Sequence, residues 1–123
     1  MVKVPGFLLK RLYVKGTLRN TKDGFEFELK NTLGSGYARK VMPLTLDDSE
    51  VPLASTTFTQ DGKEIPFSAV EETTPFTLPM NKSTTVKING TTLPPGPHKV
   101  SMTFEVQGLG MLSFDFTDMV ENG

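Results

Sequence analysis

Pro97-His98-Lys99-Val100-Ser101-Met102-Thr103-Phe104-Glu105-Val106, the link Gln107-Gly108-Leu109-Gly110 and the run Met111-Leu112-Ser113-Phe114-Asp115-Phe116-Thr117 decide the fold. Val100, Met102, Phe104 and Val106 alternate with Lys99, Ser101, Thr103 and Glu105. Beyond the glycines, Leu112, Phe114 and Phe116 alternate with Ser113, Asp115 and Thr117. Successive side chains of a strand point to opposite faces, so each arm has one apolar and one wet face. The stretch predicts a β-hairpin in a one-sided antiparallel sheet, packed against a second layer.

Working outward, the N-terminal third carries a second pattern of this kind. Leu12, Val14 and Leu18 alternate with Tyr13, Lys15, Thr17 and Arg19. A polar turn over Arg19–Gly24 follows, with positive φ expected at Gly24. Phe25, Phe27 and Leu29 then alternate with Glu26, Glu28 and Lys30. Residues 37–46 read as a weaker strand, interrupted at Pro43, which lacks an N–H for a sheet ladder.

Three stretches share one plan, a polar turn, an aliphatic residue and a proline: Leu46 to Pro52, Thr59 to Pro66 and Ile88 to Pro94. Asp61-Gly62 and Asn89-Gly90 are strong hairpin signals, because these residues tolerate positive φ. Phe67 to Glu72 is the one helical turn expected, with Ser68 as cap and Glu71 three residues on. Glu71 to Pro79 reads as a connecting loop, and Thr84 to Ile88 as a strand with Val86 and Ile88 inward. Short strands spaced about ten residues apart predict an all-β, single-domain antiparallel β-sandwich, jelly-roll-like, with about eight or nine strands. The domain is expected to span residues 1–123, with 1–6 and 119–123 frayed and Asp118 opening an acidic tail.

Composition narrows the function classes. The 123 residues suffice for one hydrophobic core. Thirteen Lys and Arg against fourteen Asp and Glu leave a net charge of −1, so no strong field favours nucleic acid or an anionic membrane. The lack of cysteine excludes disulfides, Cys-ligated metal and thiol catalysis, and suits a cytoplasmic protein. No signal peptide is read in the first residues, and no apolar run has the roughly 20 residues of a membrane span.

Candidate chemistry is sparse. His98 is the only histidine, too few for a cupin-like metal site, and no Gly-x-Ser-x-Gly elbow accompanies it. Its place at the start of an inward-facing pattern suggests a histidine at the core edge. The acid pairs Asp47/Asp48, Glu71/Glu72 and Asp115/Asp118 read as solvated turn and strand-face residues. Gly108-Leu109-Gly110 lies in a hairpin, which removes the dinucleotide reading of Gly-x-Gly. Without Trp, a sugar-stacking surface falls to the two tyrosines, Tyr13 and Tyr37. Phe7, Leu8, Leu9 and Tyr13 do not fit the inward pattern. They either close one end of the sandwich or, with Arg11, present a partner-binding patch.

The run Pro5 to Phe27, the turn Asp61-Gly62-Lys63-Glu64-Ile65-Pro66, Leu93 to His98 and Gly108 to Asp115 together resemble the small β subunits of bacterial C-glycoside deglycosidases. The resemblance implies a non-catalytic accessory subunit, with no catalytic residue, metal or cofactor of its own. It would pack on a TIM-barrel α subunit that carries a divalent metal, manganese in most members. That complex cleaves the carbon–carbon bond of 3-oxo-C-glycosides of flavonoid type. A freestanding β-sandwich binding carbohydrate or protein is the alternative, and a small enzyme built on His98 is a third reading.

Overall fold

The decisive stretch pairs as two antiparallel strands of eleven residues each, the longest among the described residues. The structure is a computed structural model and describes residues 6–32, 36–60, 62–71, 73–78, 81–106, 108 and 110–120. Among these, eleven strands form two antiparallel sheets. They are β1 (Arg19–Asn20), β2 (Gly24–Lys30), β3 (Gly36–Val41), β4 (Thr45–Leu46), β5 (Ser49–Glu50), β6 (Thr56–Gln60), β7 (Lys63–Pro66), β8 (Phe76–Leu78), β9 (Ser83–Asn89), β10 (Gly96–Val106) and β11 (Gly110–Val120). One sheet runs β1-β2-β9-β6-β7. The other runs β5-β4-β10-β3-β8, with β11 along the opposite side of β10.

Strand β10 organises the second sheet. One edge pairs with β11 from Gly96↔Val120 to Val106↔Gly110. The other edge takes β4 at Val100 and Ser101, then β3 at Phe104 to Val106. The break between β3 and β4 falls at Pro43, as its missing N–H requires. Gly108 and Gly110 both have positive φ, which glycine adopts without Cβ strain.

The inward faces meet as the alternation demands. Val100, Met102, Phe104, Leu112, Phe114 and Phe116 lie against Phe25, Phe27, Leu29, Val86, Ile88 and Phe58. Two aromatic groups tie the sheets together. Phe58 contacts Phe67 and Phe76 at centroid distances of 5.8 and 4.6 Å, and Phe104 links Phe76 to Phe114. Phe116 meets Phe27 edge-on at 5.1 Å. Such pairs add about 0.5–1.5 kcal/mol each beyond the area they bury. Gly24 leaves no room for a side chain beside β9: a Cβ there would sit 1.8 Å from the Ile88 carbonyl oxygen.

Several local expectations are corrected. The pattern from Leu12 to Arg19 makes no long strand. A helical turn, α1 (Gly6–Leu9), runs into a 3-10 turn, Lys10–Leu12, and only Tyr13 bridges to Leu29. Leu9 and Leu12 are three residues apart and both buried, a helical spacing that coexists with the strand-like alternation. Gly16 at φ +87° then breaks the extended chain. Gly24 is needed for space, and it is absent from the positive-φ residues. Asn89-Gly90 turns no hairpin: the Gly90 N–H bonds to the Asp23 carbonyl, and the chain continues to β10. The turn at Phe67–Ala69 is present, but Pro66 precedes it and no side chain caps it. Further helical turns form at α1, Lys10–Leu12 and Leu53–Ser55. Phe76–Leu78 is a strand with Phe76 buried, because Phe76 fills the space between Phe58 and Phe104. Strand β11 continues to Val120, which is buried, so Asp118 and Met119 belong to the sheet.

The strand edges are blunted. β1 and β5 have two residues each, β8 has three, and β7 ends in Pro66. The longest outer strand, β11, has the N-terminal segment packed against it: Lys10 pairs with Asp115 at 3.5 Å. Short, charged or covered edges resist pairing with other chains.

Candidate functional site

At one end of the sandwich the ionisable side chains singled out from the sequence line up. His98 on β10 and Asp118 on β11 are direct cross-strand partners. The β4–β5 turn brings Asp47 to His98, and the N-terminal segment brings Tyr13 to Asp118. The row therefore reads Asp47, His98, Asp118, Tyr13, with contributions from four separate parts of the chain.

Asp47 and Asp48 form the turn itself, at φ 49° and 71°, a left-handed pair that Asp tolerates better than most residues. The Asp47 N–H bonds to the Lys99 carbonyl, and the Lys99 N–H bonds back to Asp47 Oδ1 at 2.8 Å. Oδ2 is left for His98 Nδ1, at 2.7 Å. The other ring nitrogen, Nε2, lies 2.7 Å from the Pro94 carbonyl. A carboxylate and a carbonyl can only accept, so both contacts are satisfied together only when both ring nitrogens carry hydrogen. The Asp47 hydrogen bond, helped by the Pro94 bond, holds the His98 pKa above its ordinary value. The Lys99 N–H and then His98 hold Asp47 below its own.

The second half of the row is also fully engaged. Tyr13 donates its hydroxyl to Asp118 Oδ2 at 2.7 Å and accepts the Leu18 N–H at 3.1 Å. Asp118 Oδ2 further accepts the Gly16 N–H at 2.8 Å, and Oδ1 accepts that of Met119. The Tyr13 ring stacks on Phe116 at 3.6 Å and meets Phe27 edge-on. Burial and the bond to Asp118 push the Tyr13 hydroxyl up to about 12. Burial alone would raise Asp118, but the hydrogen bonds from Tyr13, Gly16 and Met119 outweigh it and keep its carboxyl below the ordinary value.

This arrangement binds the molecule to itself. Both His98 ring nitrogens are engaged within the chain, by Asp47 and by the Pro94 carbonyl. Phe116 covers one face of Tyr13, and the ring is half-buried. Among the described residues no group of three or more His, Asp or Glu side chains is placed to hold a metal ion. Nor is any of their helices long and apolar enough to cross a membrane.

The residues expected at a partner interface are divided. Leu9 is buried, Leu8 and Tyr13 are half-buried, Arg11 is exposed, and the Phe7 side chain lies outside the described residues, as does that of Tyr37. Leu9 and Tyr13 thus serve the end-closing role. Asp118, read from the sequence as a solvated acid at the head of the tail, is instead the anchor of the N-terminal segment. Its own neighbourhood holds no cue to that role, since Tyr13 and Gly16 lie 105 and 102 positions away.

The family described as hydroxymethylglutaryl-CoA reductase, N-terminal domain, matches residues 8–121, nearly the whole chain and the whole of the row just described. The chain belongs to that family. Its membership corrects the resemblance to C-glycoside deglycosidase β subunits, which rested on turn and strand patterns that many small β-sandwiches share. The expected TIM-barrel partner and its manganese rested on that resemblance alone. No curated protein matches the chain. In the hydroxymethylglutaryl-CoA reductase N-terminal domain family, this member presents a β-sandwich whose ionisable end groups are internally paired.

Proposed function

We propose that this chain is a non-catalytic, protein-binding β-sandwich that serves a larger catalytic body. The observation that carries the reading is the internal use of both His98 nitrogens, and of Tyr13 and Asp118. The side chains best suited to acid–base work are occupied in holding strands and loops together. Family membership adds direction: the family is named for a domain at the N-terminal end of a reductase, so such a reductase's catalytic portion is the first partner to try.

The test is co-expression of the chain with that catalytic portion, followed by size-exclusion chromatography and an assay of hydroxymethylglutaryl-CoA reduction. The reading expects a co-eluting complex, with no turnover by the chain alone. It also expects His98→Gln to leave the complex's turnover per assembled enzyme intact. A chain that reduces hydroxymethylglutaryl-CoA by itself, and loses that activity in His98→Gln with its fold retained, would refute the non-catalytic assignment. Failure to bind would refute the choice of partner.

A further inference from the structure

We infer that His98 is a proton-operated clasp that joins the β4–β5 turn to the loop before β10 and lets that loop go when the ring loses a proton. The geometry carries this. His98 is buried, at 8% exposure, and faces two groups that can only accept, Asp47 Oδ2 and the Pro94 carbonyl, each at 2.7 Å. An imidazolium satisfies both, whereas a neutral ring has one N–H and must abandon one of them. Asp47 and Pro94 are themselves exposed, so whichever acceptor the neutral ring abandons can turn to water, and deprotonation favours a rearranged loop.

The two attachments are unequal. Asp47 stays tied to β10 through its own N–H and through Oδ1, both bonded to the Lys99 backbone. Pro94 has no N–H, and its carbonyl is held by His98. The neighbouring anchor is Leu93, bonded through both backbone groups to the Asn20 side chain. The segment from Pro94 to the start of β10 is therefore the part that moves, pivoting at Leu93.

The charged surroundings favour the closed clasp at neutral pH. Asp47 faces the ring from the β4–β5 turn, and Asp48 beside it pairs with Lys99 at 3.6 Å. Asp118 is the cross-strand partner from β11, its carboxylate bound by the Tyr13 hydroxyl and the Gly16 N–H, with Lys15 acting on it electrostatically. Asp47 is thus the carboxylate bonded to the ring, while Asp118 is engaged by Tyr13 and Gly16 and Lys99 by Asp48.

The experiment is a pH titration of the uniformly ¹⁵N-labelled chain by long-range ¹H–¹⁵N correlation, from about pH 5 to about pH 9. Because His98 is the only histidine, the ring signals need no assignment. Both ring nitrogens are expected in the protonated range at neutral pH. Their midpoint should lie above the ordinary histidine value of about 6.5, and the backbone signals of Leu93, Gly96 and His98 should move with the same midpoint. Asp47→Asn keeps the shape but removes the charge, and should lower that midpoint while the far-ultraviolet spectrum stays unchanged. A neutral ring at pH 7, a midpoint at or below the ordinary value, or a ring titration that leaves those backbone signals still would overturn the inference.

Discussion

Replacing Tyr13 by Phe isolates the contact that seams the N-terminal segment to β11. The ring, its stack on Phe116 and its edge contact with Phe27 all survive. What disappears is a hydroxyl that donates to Asp118 at 2.7 Å and accepts the Leu18 N–H at 3.1 Å. A hydrogen bond to a charged group contributes about 1.5–3 kcal/mol, and half-burial of Tyr13 points to the lower end, about 1.5 kcal/mol. Leaving the Leu18 N–H short of a partner adds about 0.5 kcal/mol, for a total near 2 kcal/mol. For a domain of this size that is a fall in Tm of about 8 °C. The assay is urea unfolding of the wild type, Tyr13→Phe, Asp118→Ala and the double variant. The cycle should show a coupling of about 1 kcal/mol or more between the two positions. An absorbance titration of the phenolate adds a direct readout, because the Tyr13 hydroxyl is pushed up to about 12 and Asp118→Ala should lower it. A group raised in the folded state stabilises fully below its unfolded pKa, so the Tyr13 contribution holds to about pH 10 and is lost towards pH 12. A coupling below about 0.3 kcal/mol, or a Tyr13→Phe variant as stable as wild type, would refute the seam.

Further outcomes follow from the same contacts. Gly24→Ala should cost about 3 kcal/mol with an unchanged urea m-value, since its Cβ would meet the Ile88 backbone and force β2 and β9 apart. A loss under about 1 kcal/mol in urea unfolding would mean that the strands yield easily. Asp48→Gly should raise stability by about 0.5 kcal/mol, because φ 71° suits glycine and the exposed pair with Lys99 contributes little. Thermal unfolding that shows a loss would assign more weight to that ion pair. Stability against pH should fall on both flanks. His98 is raised in the folded state, so its contribution is whole below about pH 6.5 and fades as pH climbs through the folded value. Asp47 and Asp118 are lowered, so theirs is whole above about pH 4 and fades as pH drops through theirs. His98→Gln should flatten the fall above about pH 6.5 and, because His98 helps hold Asp47 down, shrink the acid flank to a lesser degree, as measured by urea midpoints at a series of pH values.

Much of this protein was legible without coordinates, and the reason is periodicity. Period-two alternation in Val100–Phe104 and Leu112–Phe116 specified strands, and burying every second side chain specified the second layer. The turns at Asp47-Asp48 and Gly62 followed from residues that accept positive φ, a property of single residues. Where two periodicities coincide, as at Leu9 and Leu12, the sequence admits both helix and strand, and packing against β11 chose the helical turn. Asn89-Gly90 shows the same limit: a turn-prone dipeptide permits a hairpin, but only a strand able to pair produces one.

The row at the sandwich end belongs wholly to the tertiary structure. Asp47 lies 51 positions from His98, and Tyr13 lies 105 from Asp118, separations over which sequence carries no pairing signal. Composition and spacing determined an all-β sandwich with one histidine and few tools for catalysis. Only the register of β10 against β11 and β4 decided that the histidine would be clasped between two acceptors. That register is set by where the two sheets bury their phenylalanines, and burial is a property of the whole chain.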